Sequence, residues 1–215
     1  MRWPTLLMSS RRLSWHAPRS HTWATIMLLA LDLAGVVGWC CGEAGSQPQL
    51  GAYPLHKGSQ GGRLMEFETF LAELLARYKP DKVVMEAAIR RWDRATCHQH
   101  GLAAYAHGTV FRSLGISPVE VHVDTARNGV LGRCRLTPAE KTKQVTLKDI
   151  VMAWAHARGW EPPTHDAADA ALIWVYMTEP HLYPYGGGRQ STKVRTGLRQ
   201  AKLKAKAEAA RGTLI

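Results

Sequence analysis

The chain has 215 residues, of which 46% are hydrophobic, and it carries a formal net charge of +11 at neutral pH. This length and composition can bury one core, which excludes a wholly disordered or fibrous chain and predicts one domain. The excess charge lies at the two ends, because residues 25–185 contain as many acids as Lys and Arg. We predict a disordered basic arm over 1–24, a folded domain over 25–185, and a basic flexible or helical tail over 186–215. The tail either binds polyanions or only aids solubility.

An apolar run over residues 26–31 ends at Asp32 and is followed by small turn residues. A short run of this kind predicts a strand that is buried on both faces at the centre of a sheet. A signal peptide or membrane span is the alternative, since four arginines and no acid precede the run. Asp32, Gly35 and Gly38 interrupt it, so we expect a central strand and no membrane association. Translation from either Met1 or Met27 would leave this strand intact.

Further elements follow in chain order up to residue 123. We predict strands at 36–41 and 50–55, a helix that starts at Gly61 and stops before Pro80, and a second buried strand that ends at Glu86. A helix over 95–114 and a strand over 119–123 come next. A helical crossover makes the Glu86 strand parallel to the Asp32 strand, and parallel strands end at the same edge of a sheet. The two acids are therefore expected to meet there.

The last third of the domain contains a polar segment and two predicted helices. Glycines and arginines over 127–135 predict a mobile basic loop. Thr137 and Pro138 are a cap and first position for one helix that runs to Gly159. A final core helix over 165–177 carries Asp166 and Asp169 on one face of its first turn, where the helix N-terminus favours negative charge.

Four acids on three elements would repel one another unless cations neutralise them. Hard divalent ions such as Mg²⁺ bind carboxylate oxygens, and two ions about 3.5–4 Å apart can hold the attacking and leaving oxygens of a phosphodiester. Any one of these acids alone would be a weak signal, and two buried strands that both end in acids strengthen it. The four cysteines show neither a disulfide nor a zinc pattern and fit a reducing cytoplasm.

Three motifs resemble the RuvC-type Holliday-junction resolvases of bacteria and their phages, a branch of the RNase H-like nucleases. They are Leu-Ala-Leu-Asp32-Leu-Ala-Gly-Val-Val-Gly38-Trp39, Val-Val-Met-Glu86 and His165-Asp166-Ala-Ala-Asp169-Ala170. The segments between them agree in order, including Ala139-Glu140-Lys141, and the resemblance covers about residues 26–178. It implies an α/β fold of the RNase H-like type, with a mixed sheet flanked by helices on both faces.

The resemblance also implies roles for individual residues. The metal ligands would be Asp32, Glu86, Asp166 and Asp169, with two Mg²⁺ ions per site and Mn²⁺ as a substitute. Lys141 matches a catalytic lysine, and Arg127 stands where the family usually has lysine. Basic and aromatic residues near these motifs would contact DNA: Arg90, Arg91, Trp92, Arg94, Arg127, Arg133, Arg135, Lys141 and Lys143.

The function implied by the resemblance is a crossover junction endodeoxyribonuclease that makes paired incisions in four-way DNA junctions. Water activated by one metal ion would attack phosphorus while the second ion stabilises the departing 3′ oxygen. Because a junction has two-fold symmetry, we expect a homodimer with one site for each cut strand. Two alternatives remain open: a nuclease of other branched DNA or RNA–DNA hybrids, and a non-catalytic DNA-binding accessory protein of the same fold.

Overall fold

A computed structural model describes residues 26–56, 58–89 and 94–179 of the chain. The strands are β1 (Met27–Asp32), β2 (Val36–Glu43), β3 (Gln49–Pro54), β4 (Lys82–Glu86) and β5 (Val119–Val121). The helices are α1 (Gln60–Tyr78), α2 (Arg94–Leu114), α3 (Val123–Leu131), α4 (Pro138–Thr142), α5 (Leu147–Ala157) and α6 (His165–Thr178).

The five strands form one mixed sheet in the order β3-β2-β1-β4-β5. β1 pairs antiparallel with β2 and parallel with β4, and β4 pairs parallel with β5. The predicted central strand is confirmed, because β1 is flanked on both sides and its residues 28–32 are all buried. The α-helical crossover through α1 makes β4 parallel to β1, as the sequence predicted.

Helices cover both faces of this sheet, and the alternation of side chains along each strand divides the core in two. Leu29 and Leu31 of β1 pack with α1 and α2, together with Val83 and Met85 of β4. Leu28 and Ala30 of β1 pack on the opposite face, together with residues of α3, α5 and α6. The predicted RNase H-like mixed sheet with helices on both faces is therefore confirmed.

The first turn of helix α6 approaches the sheet closely, in a region where small residues are buried. Ala167, Ala168, Ala170 and Ala171 are fully buried. At Gly38 of β2, an added Cβ would stand 2.0 Å from the backbone oxygen of Asp166, so only glycine permits this approach. The first turn of α6 is consequently held directly over the strand that pairs with β1.

The prediction of a mobile basic loop over 127–135 is wrong for its first half, because residues 123–131 form α3. Ala126 is buried against α6 at helical spacing from Val123 and Val130. Gly129 indicated a turn, yet it lies inside the helix. The ring of Tyr176 occupies the space that a side chain at this position would need, with 2.7 Å between its Cδ2 and an added Cβ.

The single helix predicted between Thr137 and Gly159 is also wrong, because the chain forms two helices there. α4 ends after Thr142, and Gln144 adopts a left-handed backbone conformation (φ 57°) that no helix continues through. Thr146 then starts α5 with a capping box, since its side chain accepts from the Asp149 N–H and Asp149 accepts from the Thr146 N–H. A second strong cap within the segment is what divides it.

Several sequence predictions lie outside the described residues: the arm over 1–24, the tail over 186–215, and Arg90, Arg91 and Trp92. Among the helices in the described ranges, none has the length and apolar composition that crossing a membrane requires.

Candidate active site

The ends of β1 and β4 bring Asp32 and Glu86 together. Leu31 pairs with Met85, so the two acids are the next residues along adjacent parallel strands. Each belongs to the set of alternate side chains that faces α6, together with Ala30 and Val84. The two carboxyl groups are hydrogen-bonded to each other, and Asp32 is only 5% exposed.

Helix α6 contributes the other two predicted acids from above this pair. Thr164 caps the helix, with its hydroxyl accepting from the Ala167 N–H at 3.2 Å. Asp166 and Asp169 follow in the first two turns on the side facing the strand ends, close enough that both charges act on Asp32. The structure therefore brings together all four acids that the sequence singled out.

Burial and like charge together disfavour an ionised Asp32. Desolvation raises its pKa well above the ordinary value, and the hydrogen bond and charge of Glu86 raise it further, followed by Asp169 and Asp166. Burial also raises the pKa of Asp169, although the Arg127 guanidinium opposes the shift. An acid cluster with raised pKa values at the edge of a parallel sheet is typical of a functional site.

Arg127 of α3 is turned inward onto Asp169. Its Nη2 lies 2.9 Å from both oxygens of that carboxylate, and the side chain is 12% exposed. Its Nη1 lies 3.9 Å from Asp124, and its buried Nε has no hydrogen-bond partner among the described residues. The residue predicted to contact DNA thus contacts an acid of the cluster, and a direct DNA contact by Arg127 stays a prediction.

Lys148, which the sequence did not single out, is the second cation in the cluster. Its Nζ lies 2.7 Å from Oδ1 of Asp166. Burial alone would lower the Lys148 pKa, but the hydrogen bond and charge of Asp166, aided by Asp32 and Asp169, outweigh burial and raise it. Lys148 could have been found from its place in the first turn of α5, had the cap at Thr146 been interpreted as a new helix start.

No protein-family model and no curated protein matches the chain by sequence. Solved structures do match. A Thermus thermophilus RuvC structure matches with a TM-score of 0.52 at 14% sequence identity. The match covers 73% of this chain and 96% of the RuvC chain. T. thermophilus RuvC in complex with a Holliday junction substrate matches with a TM-score of 0.56 at 13% identity, over 75% of this chain and 95% of the RuvC chain. The chain has the fold of RuvC.

Another similar structure is that of the yeast mitochondrial Holliday junction resolvase Ydc2, with a TM-score of 0.44 at 14% identity. The match covers 72% of this chain and 78% of the Ydc2 chain. At these identities, the two RuvC structures establish the shared fold. The RuvC-like sheet places the acid cluster at the carboxyl ends of its parallel strands, where α/β sheets carry their sites.

The donor set of this acid cluster fits hard divalent cations, because all four groups offer carboxylate oxygens. No three His, Cys, Asp or Glu side chains of the described ranges are arranged around a common metal position. The arrangement has a physical cause: Asp169 and Asp166 are each turned onto a cation, Arg127 and Lys148 respectively. These ion pairs supply the positive charge that a cluster of four acids requires.

The remaining predicted basic residues have other surroundings. Arg133 is paired with Glu140 at 2.7 Å, while Arg135 is exposed. Lys141 and Lys143 of the α4 region are exposed and form no ion pair with a described acid. Arg94 begins α2, and its side chain lies outside the described part of the chain. None of the four described side chains, those of Arg133, Arg135, Lys141 and Lys143, is paired with Asp32, Glu86, Asp166 or Asp169, and the DNA contacts of all five residues stay predictions.

Proposed function

We propose that this protein is a metal-dependent, structure-selective endonuclease that cleaves four-way DNA junctions. The observation that carries the proposal is the convergence of four acids from β1, β4 and α6 at one sheet edge, in a fold shared with RuvC. A related structure was solved with a Holliday junction substrate bound, which supports the same substrate class for this chain.

Asp32, Glu86, Asp166 and Asp169 would hold two Mg²⁺ ions, with Mn²⁺ as a substitute. When bound, the ions would favour ionisation of a water molecule and stabilise charge on the leaving 3′ oxygen. Carboxylates that share a site in this way can also orient a water for attack and accept its proton.

The two cations of the cluster would act on phosphate as well as on the acids. Lys148 is half exposed, so its ammonium group can turn from Asp166 towards a phosphate oxygen without unfolding anything. Arg127 is largely enclosed and grips Asp169 through both carboxylate oxygens, so we assign it a positioning role. Lys141, the catalytic lysine implied by the motif, remains a second candidate for the phosphate contact.

The rest of the functional proposal concerns the surfaces around the site. The basic residues at 90–94, 133, 135, 141 and 143 would bind the arms of the junction, and the tail over 186–215 would add affinity by releasing counterions from DNA. Two copies of the chain would form a symmetric dimer in order to cut two strands. We place the protein in the cytoplasm of a bacterium or of a phage-infected cell.

Cleavage of three labelled substrates tests the proposal: a four-way junction, a linear duplex of the same sequence, and an RNA–DNA hybrid. Each is incubated with Mg²⁺, Mn²⁺ or EDTA, and with wild type or Asp32→Asn. We expect symmetric incision of the junction with either metal ion, and no incision in EDTA or by the variant. Preferred cutting of the hybrid would replace the substrate class, and junction binding without any cutting would indicate a non-catalytic accessory protein.

A further inference from the structure

The outward side of α1 carries an apolar stripe that no described residue covers. Met65, Thr69, Ala72 and Ala76 recur at helical spacing and are all exposed, and Met65 is 55% exposed. The buried residues of the same helix, such as Phe67, lie on its other side and pack onto the sheet. A surface helix normally presents charged and polar residues to solvent, so this stripe indicates a missing partner.

The stripe lines an open groove of about 540 Å³ that is bordered by acids. Glu68 is paired with Arg112 of α2, whereas Glu73 is exposed and forms no ion pair with any described base. The short side chains of the stripe leave room above them for large side chains of a partner. This α1 groove therefore suits a segment that is both aromatic and basic.

The arm over 1–24 has this chemistry and enters the fold beside the groove. It carries three tryptophans and four arginines and no acid. It leads to Ile26, the first described residue, which is followed by Met27 at the start of β1. The Met27 N–H donates to the Asp81 carboxylate at 2.9 Å, and its carbonyl accepts from the Asp81 N–H. Asp81 lies three residues after α1 ends at Tyr78, so the arm starts at the end of the helix that carries Ala76.

The arm is also long enough to cover the stripe. At about 1.5 Å per helical residue, the stripe from Met65 to Ala76 spans about 16 Å. An extended chain covers about 3.3 Å per residue, so about five residues match this length. The tail over 186–215 is basic as well, but it follows α6, which packs on the opposite face of the sheet. The points at which the two segments leave the fold therefore favour the arm.

We propose that the arm over 1–24 docks in the α1 groove, with tryptophan side chains on the stripe and arginine side chains towards Glu68 and Glu73. The sequence predicts disorder because the arm has no apolar periodicity of its own, but a segment of this kind can bind a surface that the rest of the chain presents. Since α1 and the acid cluster lie on opposite faces of the sheet, docking holds the four arginines away from the acids. The basic tail is then the terminal segment that remains to bind DNA.

Limited trypsin digestion of the full-length protein tests the docking without any ligand. Trypsin cuts after Lys and Arg, and its rate follows the population in which the cut segment has left its contacts. Mass spectrometry compares cleavage after Arg19 in the arm with cleavage after Arg195 in the tail. In the wild type, we expect cleavage after Arg19 to be about tenfold slower, because the arm must first leave the groove. Equal rates at the two sites would overturn the proposal.

Two substitutions in the stripe and one matched control assign the protection to the groove. Ala72→Glu and Ala76→Glu each place a charge on the apolar stripe at an exposed position, and Glu is a good helix former. Ala153→Glu makes the same change at an exposed position of α5, which packs on the opposite face of the sheet. Circular dichroism melts establish that all variants are folded at the temperature of digestion.

We expect both stripe variants to be cut after Arg19 about tenfold faster than the wild type, with cleavage after Arg195 unchanged. Ala153→Glu should behave as the wild type. An Arg19 rate that is the same in all four proteins would overturn the proposal. Faster cleavage after Arg195 alone would give the groove to the tail, and loss of a dimer in light scattering with unchanged arm cleavage would give it to a second copy. None of these outcomes depends on the nuclease function.

Discussion

The two faces of the sheet are built from different side chains and have different tasks. The α1–α2 face is packed by large apolar residues such as Phe67, Leu71 and Met85. The α6 face also buries large residues such as Trp174 and Ile173, but the first turns of α6 contribute alanines, and this face holds the buried acids Asp32 and Asp169. Large side chains keep helices at a distance and give a stable core, whereas small ones let a helix approach closely enough to bring carboxylates together.

The difference also separates where charge is tolerated. On the α6 face, the acids are balanced by a shared hydrogen bond and by Arg127 and Lys148. On the α1–α2 face, the charge at the strand ends is that of Arg63, which has no described counterion. At the carboxyl ends of the strands, the α6 face is therefore suited to binding cations, and the α1–α2 face is suited to binding an anion.

Removing an acid on the α6 face should have the largest effect on activity. Asp32→Asn and Glu86→Gln should each lower the cleavage rate by about two to three orders of magnitude, because electrostatic stabilisation of the reacting groups is removed. Junction affinity should stay or rise, since repulsion of phosphate is relieved. Glu43→Gln, at the exposed end of β2, is the control. Single-turnover cleavage measures the rate, and a binding titration measures the junction affinity. Cutting at near the wild-type rate by either variant would reject the metal-site assignment.

A second prediction concerns the close approach of α6. Gly38→Ala places a Cβ 2.0 Å from the Asp166 carbonyl oxygen, and backbone cannot move aside as a side chain can. We expect about 3 kcal/mol of destabilisation, the upper end for overpacking. Gly35→Ala is the control, because its added Cβ meets nothing within 4 Å. Urea unfolding compares them, and equal stability of the two variants would mean that α6 does not lie so close.

Lys148 gives a test of the residue that only the structure indicated. Lys148→Met should lower kcat for junction cleavage about tenfold, because it removes a charge-assisted hydrogen bond. Lys82→Met removes the same charge at the opposite end of β4 and should be neutral. Cleavage by Lys141→Met, measured in parallel, decides whether Lys148 or Lys141 contacts the phosphate. A larger decrease in kcat for Lys141→Met than for Lys148→Met would assign the phosphate contact to Lys141.

The raised pKa of Asp32 predicts a pH-dependent gain in stability for Asp32→Asn in EDTA. Below about pH 4 the carboxyl is protonated in both folded and unfolded chains, so the substitution changes little. Above that pH the Asp32 carboxyl ionises in the unfolded chain, which stabilises the unfolded state, while in the folded chain it stays protonated to a higher pH. The free energy of unfolding of Asp32→Asn relative to wild type therefore increases as the pH rises. Thermal melts between pH 4 and 8 should separate by a few degrees at the upper end, and a constant difference would contradict the assignment.

The smallest expected effect concerns the tail over 186–215. Deleting residues 186–215 should weaken binding to junction and duplex alike. The slope of log affinity against log salt should become shallower by roughly 0.9 for each phosphate that the tail no longer neutralises. The incision position should not move. An unchanged slope would leave the tail a solubility segment, and a failure to dimerise would assign it to the interface.

Much of the fold was predictable because burial leaves a plain pattern in the sequence. Two apolar runs that each end in an acid predicted β1, β4 and the meeting of Asp32 with Glu86, and the spacing of Asp166 and Asp169 predicted their common face. α3 was missed because Gly129 indicates a turn in the sequence. The reason for a glycine inside a helix, which is that the Tyr176 ring occupies the space of a side chain at position 129, is visible only in the structure. Lys148 was missed because the helix start at Thr146 was not recognised, and its pairing with Asp166 on another helix depends on tertiary packing.

The four alanines of α6 have a consequence for anyone who would transplant this site. Copying the acids onto another sheet would not recreate their proximity, since the thickness of the layer between helix and strand is set by what lies beneath them. Larger aliphatic residues there would lift the helix and spread the carboxylates apart with every acid still present. The information that specifies the site is therefore carried as much by its smallest side chains, and by the hydrogen atom at Gly38, as by its charged ones.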